Sequence, residues 1–256
     1  MPLQRWKLTI EYDGTNYAGW QRQHDGVPSI QEDIETAIFK FCGQECRLHV
    51  AGRTDAGVHA HGQVAHFDLD YGERDIDGYS ITKALNAHLG GNPIAILSAE
   101  PVSEDFHARY SAINKLYIYR VLVRLAPPVF DTNTVWWAHQ KLDADSMRQA
   151  AKYLLGHHDF SSFRAAECQA KSPLKTLDRL DIEEFSYHGQ GIELLFLLEA
   201  RSFLHHQVRN MVGSLVQVGR GKWEPSHIKT VLEAKDRKQG GVTAPASGLS
   251  LVRVDY

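Results

Sequence analysis

Ala51-Gly52-Arg53-Thr54-Asp55-Ala56-Gly57-Val58-His59-Ala60 leads straight into His61-Gly62-Gln63-Val64-Ala65-His66-Phe67-Asp68-Leu69-Asp70. The second stretch alternates: Val64, His66 and Asp70 fall on one side, Ala65, Phe67 and Leu69 on the other, which is the period of a strand. The first stretch is a loop with two glycines bracketing a cation and a carboxylate. Glycine permits tight turns and close approach of backbone or ligand. A loop carried by a core strand is where reactive groups concentrate, because the scaffold holds them still. An aspartate beside a fixed positive charge stays ionised at neutral pH, as a nucleophile or base requires.

Outward from this stretch, strands and helices alternate. Trp6 to Tyr12 reads as a first strand, with Trp6, Leu8, Ile10 and Tyr12 on one face. Ser29-Ile30-Gln31-Glu32 is a capping box opening a helix with Ile30, Ile34, Ala37, Ile38 and Phe41 on one side. A strand is expected near Arg47 to Val50, a helix around Ile81, Leu85 and Leu89 stopped by Gly90-Gly91, and a strand from Ile94 to Pro101. In the second half, Lys115 to Leu125 is strand-like, and Asp143 caps a helix carrying Met147, Ala150, Ala151, Leu154 and Leu155, closed by Gly156. Leu177 to Tyr187 and Gly191 to Ala200 form a hairpin. The run Leu194 to Leu198 has no polar side and is expected to be central and covered on both faces. A helix from about Phe203 to Val218, a short one near Pro225 to Ala234, and a strand from Leu249 to Val254 complete the pattern. The expected fold is α/β of the α+β kind: two ferredoxin-like halves forming a mixed, mainly antiparallel sheet, with helices on one side and a central active-site cleft. The boundary falls within residues 102 to 112, giving halves 1–107, with the Asp55 loop, and 108–256.

Gly52-Arg53-Thr54-Asp55-Ala56-Gly57-Val58-His59-Ala60 resembles the active-site motif of the tRNA pseudouridine synthase A family. Glu11-Tyr12-Asp13-Gly14-Thr15 with Gly19-Trp20-Gln21 resembles the family's opening strand and turn. Phe106-His107-Ala108-Arg109-Tyr110-Ser111-Ala112 and Lys115-Leu116-Tyr117-Ile118-Tyr119-Arg120 match its central segment. His205-His206-Gln207-Val208-Arg209-Asn210-Met211-Val212-Gly213 matches its late helix, and Gly248 to Val252 its closing strand. These matches occur in the family's order and span the chain. The resemblance implies isomerisation of uridine to pseudouridine in the anticodon stem-loop, at positions 38, 39 and 40 of tRNA. It implies two related α/β halves with a cleft between them, and a homodimer.

That reaction exchanges the bond from ribose C1′ to uracil N1 for one to C5. It involves no redox change and no net group transfer, so no cofactor and no metal is expected. The resemblance assigns the carboxylate to Asp55. Attack on the sugar, attack on the base and removal of a ribose proton all remain open for it, and each needs it charged and partly desolvated. Arg209 is the expected cationic partner, on a helix whose Leu204, Val208, Met211, Val212 and Leu215 form an apolar stripe, with His205, Arg209 and Gly213 on an adjacent line. Tyr117 resembles the family's active-site tyrosine: its ring can stack on the base and its oxygen accept a proton. Tyr119 is taken to face the other way, so that one of the two reaches the site. Arg53 is expected to bind substrate by filling the space of the extruded nucleotide, since a planar guanidinium can stack and bond phosphate together.

Composition bounds these expectations. The chain has 256 residues, 43% hydrophobic and 23% charged, ample for a core. No apolar run approaches the roughly 18 residues that span a bilayer. The stretch from Met1 to Arg5 has no signal-peptide pattern, and three cysteines fit a reducing compartment, so a cytoplasmic protein is expected. Net charge is −3, from 28 basic and 31 acidic side chains, which counts against an overall basic RNA-binding surface. Local patches would have to serve: Lys171, Lys175 and Arg179; Lys235, Arg237 and Lys238; or Arg201, Arg209, Arg220 and Lys222. The expected partners are therefore tRNA and a second copy of the chain, with no DNA and no membrane.

Two rival readings differ in class. A noncatalytic RNA-binding module on ferredoxin-like halves would present Tyr117 and Tyr119 on a sheet but needs no ionised aspartate in a glycine loop. A metal-dependent hydrolase could draw on His59, His61, His66, His107, His157, His158, Asp159, His205 and His206, yet no acidic third ligand stands at a familiar interval from the His59-Ala60-His61 pair.

Overall fold

Alternation in the first strand, β1 (Gln4–Tyr12), buries Trp6, Leu8, Ile10 and Tyr12 on one face. The structure is a computed structural model describing residues 3–24, 26–70, 72 and 76–256; Met1 and Pro2 of the amino-terminal stretch lie outside the described residues. The chain divides into two compact units, residues 1–113 with 251–256, and residues 114–250.

In the first unit β1 is followed by α1 (Ile30–Cys42), β2 (His49–Val50), β3 (His59–Leu69), α2 (Gly78–His88) and β4 (Ile94–Val102). β1 lies between β3 and β4, antiparallel to both, and β2 pairs antiparallel with β3. This βαββαβ unit thus has the order β4-β1-β3-β2, the split arrangement of a ferredoxin-like half. Residues 251–255 of the last strand, β11 (Leu249–Asp255), run beside β3. Ser29 caps α1 by accepting the Glu32 N–H at 3.4 Å, and left-handed Gly43 ends the helix. β2 is shorter than the expected Arg47 to Val50 because Leu48 bonds elsewhere. Its N–H donates to the Glu35 carboxylate (3.0 Å) and its carbonyl accepts from the Gln31 amide (3.4 Å).

The second unit contains β5 (Asn114–Val123), β6 (Trp136–Ala138), α3 (Ala144–Ala151), β7 (Gly156–Asp159), β8 (Leu174–Leu177), β9 (Arg179–Ser186), β10 (Ile192–Ala200), α4 (Gln207–Gly219) and α5 (His227–Ala234). β10 sits between β5 and β9, antiparallel to both, with β6 parallel to β5 and β7–β8 a separate antiparallel pair. The mixed, mainly antiparallel α+β reading agrees with this. Three details differ. β10 is central, but within the Leu194 to Leu198 run Leu194, Phe196 and Leu198 are buried while Leu195 and Leu197 are half-covered. α3 ends at Ala151 and a single tighter turn carries the chain to Leu154, so Gly156 opens β7 instead of closing a helix. β6, β7 and β8 are three, four and four residues long, at or below the shortest run in which alternation is visible in sequence.

Candidate active site

The Asp55 loop is held from behind by the turn that leaves β1. Trp20 N–H donates to the Thr54 carbonyl (3.1 Å) and Gly57 N–H to the Tyr17 carbonyl (3.3 Å), one contact on each side of Asp55. Val58 N–H closes a turn onto the Asp55 carbonyl at 3.2 Å. The two glycines of the β1 turn let the backbones touch. A Cβ on Gly14 would lie 2.0 Å from the Val58 carbonyl oxygen, and one on Gly19 2.6 Å from that of Thr54. Arg53 is exposed, Thr54 buried and Asp55 half-buried, so successive side chains point outward, inward and to an intermediate depth.

Beneath the loop a polar chain fixes Thr54. Gln63, fully buried on β3, donates through Nε2 to the Gly52 carbonyl (2.7 Å) and to the Tyr12 hydroxyl (3.3 Å). The Tyr12 proton is then available to Thr54 Oγ1, 2.7 Å away. Burial pushes the Tyr12 hydroxyl up to about 12, against the opposing pull of these hydrogen bonds, so it remains a neutral bridge at physiological pH. Tyr12, Thr54 and Gln63 were not singled out from sequence as supports. Gln63 carries no distinctive signal, since its strand also holds His59, His61, His66 and Asp68. His59 has a comparable duty: its Nδ1 accepts the Gly14 N–H at 3.1 Å. The Asp13 carboxylate lies 3.0 Å from that same nitrogen. Asp13 itself, though burial opposes it, lies below its ordinary value because Thr15 donates to it twice and His59 stands beside it.

In the second unit, Tyr117 and Tyr119 pair with Leu198 and Phe196 across β5–β10. They are two positions apart and so share a face, contrary to the expectation that Tyr119 points away. Depth separates them instead. Tyr119 is fully buried, donates to the Pro245 carbonyl at 2.7 Å, and stands edge-on to Trp136 and Phe196. Burial pushes its hydroxyl far up, which leaves it a structural donor. Tyr117 is 8% exposed, its ring edge-on to Phe203 with centroids 5.3 Å apart.

Arg209 lies in the first turn of α4, which begins at Gln207 and not near Phe203. The reason is local. The Gln207 side chain accepts the Leu204 N–H (2.8 Å), Ala165 N–H takes the His205 carbonyl (3.0 Å), and His206 adopts a left-handed conformation with φ of 61°. Leu204 and His205 therefore precede the apolar stripe. Arg209 Nε donates to the Ala244 carbonyl at 2.8 Å, while Ala244 N–H returns a bond to the Arg209 carbonyl at 3.2 Å. One turn on, Gly213 lets residue 242 cross: a Cβ there would fall 1.8 Å from the Val242 carbonyl oxygen. The Arg209–Gly213 spacing thus seats a strap of backbone that fixes the guanidinium's base.

The sequence also aligns with known proteins. A family model described as tRNA pseudouridine synthase matches residues 8–111 and 150–256, which include Asp55 and Arg209, with Tyr117 between the matched segments. A protein named tRNA pseudouridine synthase A from Paramagnetospirillum magneticum is 54% identical over 254 residues, 99% of this chain and 96% of its own. Proteins of the same name from Rhodospirillum rubrum and Bartonella quintana are 52% and 49% identical, over 99% of this chain and 88% and 100% of theirs. Fold and matched segments together define an isomerase that acts on tRNA. The chain belongs to the tRNA pseudouridine synthase family, whose members convert uridine to pseudouridine in tRNA. The two rival readings, binding module and metal-dependent hydrolase, give way to this one. No described helix is long and apolar enough to cross a membrane.

Proposed function

We propose that Asp55 is the carboxylate of this isomerisation, acting on a uridine pulled out of the anticodon stem-loop at position 38, 39 or 40. The observation that carries the proposal is the double anchoring of its loop, by Trp20 and Gly57 on either side and by the Gly14 and Gly19 contacts. A carboxylate fixed before substrate arrives loses little freedom on reaching the reacting geometry. The C1′–N1 bond breaks, the C1′–C5 bond forms, C5 gives up its proton and N1 gains one, so atoms and electrons balance without a cofactor. Arg209, its Nε already held by Ala244, supplies the charge that the reacting carboxylate needs. Tyr117 stacks on the base and accepts the C5 proton. Exposed Arg53 occupies the gap left by the extruded nucleotide.

The family resemblance further supports a cytoplasmic homodimer, in which a second subunit adds cations to a chain of net charge −3. The test is tritium release from unmodified tRNA labelled at uridine C5. Release is expected from a transcript with uridine at positions 38 to 40 and none from its cytidine-substituted counterpart. Equal release from labelled uridines elsewhere in the molecule contradicts the assigned positions.

A further inference from the structure

The second unit contains several cations whose partners are neutral oxygens. Arg164 donates through Nη2 to the carbonyls of Cys168 and Ala170, the latter at 3.1 Å. Arg237 donates to Asn210 Oδ1 and Thr243 Oγ1, both at 3.0 Å. Neither has a carboxylate at ion-pair distance among the described residues, and the same is true of exposed Lys171 and Lys238. Burial lowers the Arg237 guanidinium from its ordinary value, a sign that its charge is unmatched.

Two segments distant in sequence are joined here. Asn210, which accepts from Arg237, donates to the Phe163 carbonyl at 2.8 Å, one residue before Arg164. Asp236 N–H donates to Ser162 Oγ at 2.9 Å. Both segments are therefore stitched to the first turns of α4, beside Arg209. The local carboxylates are largely occupied: Asp159 takes the Ser161 N–H and lies 3.9 Å from Lys235, and Asp236 takes the Lys238 N–H. Glu167 is exposed. Elsewhere in this unit the opposite holds. Arg179, a member of the same sequence patch as Lys171, is neutralised by Asp181 at 2.5 Å and Glu199 at 3.1 Å, so it drops out.

A half-buried guanidinium held by carbonyl and amide oxygens is fixed in place yet keeps its full charge. Such a charge is costly unless an anion arrives to match it. Resting on the tRNA reading above, we propose that Arg164, Lys171, Arg237 and Lys238 form a track for the RNA phosphodiester backbone, seating the strand that flanks the reacting uridine. The two arginines are preorganised donors suited to bidentate phosphate contact, and the two lysines supply mobile point charges at the rim. This places the RNA surface of an acidic chain in a patch where Asp159 and Asp236 are turned to backbone N–H groups and Glu167 stands exposed.

The test uses the exposed lysines, whose removal leaves the internal hydrogen bonds intact. Binding of an unmodified tRNA transcript is measured across potassium chloride concentrations for wild type, Lys171→Ala, Lys238→Ala and the double variant. Lys83→Ala, an exposed cation on α2, serves as control. The double variant is expected to bind about tenfold more weakly, with KM for tritium release raised in step and kcat within twofold. Its salt dependence should be shallower by about 0.7 to 0.9 per lost contact on logarithmic axes. Wild-type affinity and slope in the double variant overturn the proposal. So does weaker binding with an unchanged slope, or a fall in kcat alone, since either marks a structural effect. Absence of tritium release from wild-type protein overturns the tRNA reading itself, a separate outcome.

Discussion

Gly14 and Val58 touch backbone to backbone: there is room for a hydrogen but not for a methyl group, which would sit 2.0 Å from the Val58 carbonyl oxygen. The β1 turn and the Asp55 loop are thereby one rigid piece. Gly14→Ala must separate them, at about 1–3 kcal/mol of stability. A displacement of about 1 Å at a catalytic group costs roughly a hundredfold in rate. The expected result is a folded variant with much reduced tritium release and tRNA binding changed less than threefold. Full turnover in that variant contradicts the anchoring role.

Tyr12 bridges Thr54 and Gln63 with a hydroxyl that stays protonated. Tyr12→Phe leaves a buried amide and a buried hydroxyl short of one partner, which costs about 1–3 kcal/mol. Thermal unfolding should show that loss, and kcat should fall while the pH profile of turnover keeps its shape. A shifted profile would mean that Tyr12 exchanges protons with substrate.

Tyr117 and Tyr119 share a face of β5 but differ in depth, so their phenylalanine variants should separate cleanly. Tyr119→Phe gives up its bond to the Pro245 carbonyl and about 1 kcal/mol, with near-normal turnover. Tyr117→Phe keeps stacking and binding but loses roughly a hundredfold or more in rate, the scale of general acid–base catalysis. The reverse pattern would exchange their roles.

His66 makes the first unit sensitive to acid. It is buried on β3, accepts the Ala108 N–H at 3.1 Å, and lies against the rings of His49 and His107. Burial, then His107, His49 and Arg5, press its value down to about 4, with only Asp68 pulling the other way. The folded state thus favours the neutral ring. Its contribution is complete above the unfolded value near 6.5 and is lost progressively as pH falls toward 4, on the order of 3 kcal/mol in all. Melting temperature should drop across that window, and His66→Asn, which retains an acceptor, should flatten the drop. An unchanged slope in the variant assigns the acid sensitivity elsewhere.

Much of this architecture is legible in the chain because the long elements carry their own periodicity. Ser29 marks the start of α1, and the alternation of β1 survives in the burial pattern, whereas β3 is buried on both faces from Gly62 to Phe67. What sequence hides is settled by contacts at a distance. β2 loses Leu48 to Glu35, α4 starts late because Gln207 and Ala165 capture the preceding backbone, and α3 stops before Leu154. At the candidate site, Arg53, Asp55, Tyr117 and Arg209 follow from motifs. The polar chain through Tyr12, Thr54 and Gln63 does not, because its members lie on separate elements and carry no shared spacing. The phosphate patches also needed the structure, since only carboxylate placement distinguishes Arg179 from Arg237.

The central claim is that the Asp55 carboxylate performs the exchange, and Asp55→Asn tests it by changing a charge while nearly preserving shape. The measurement is tritium release from uridine-C5-labelled tRNA under single-turnover conditions, with tRNA binding followed in the same samples. The account predicts a variant that binds tRNA within a fewfold of wild type and releases no tritium above background. Release at a rate near that of wild type would contradict it.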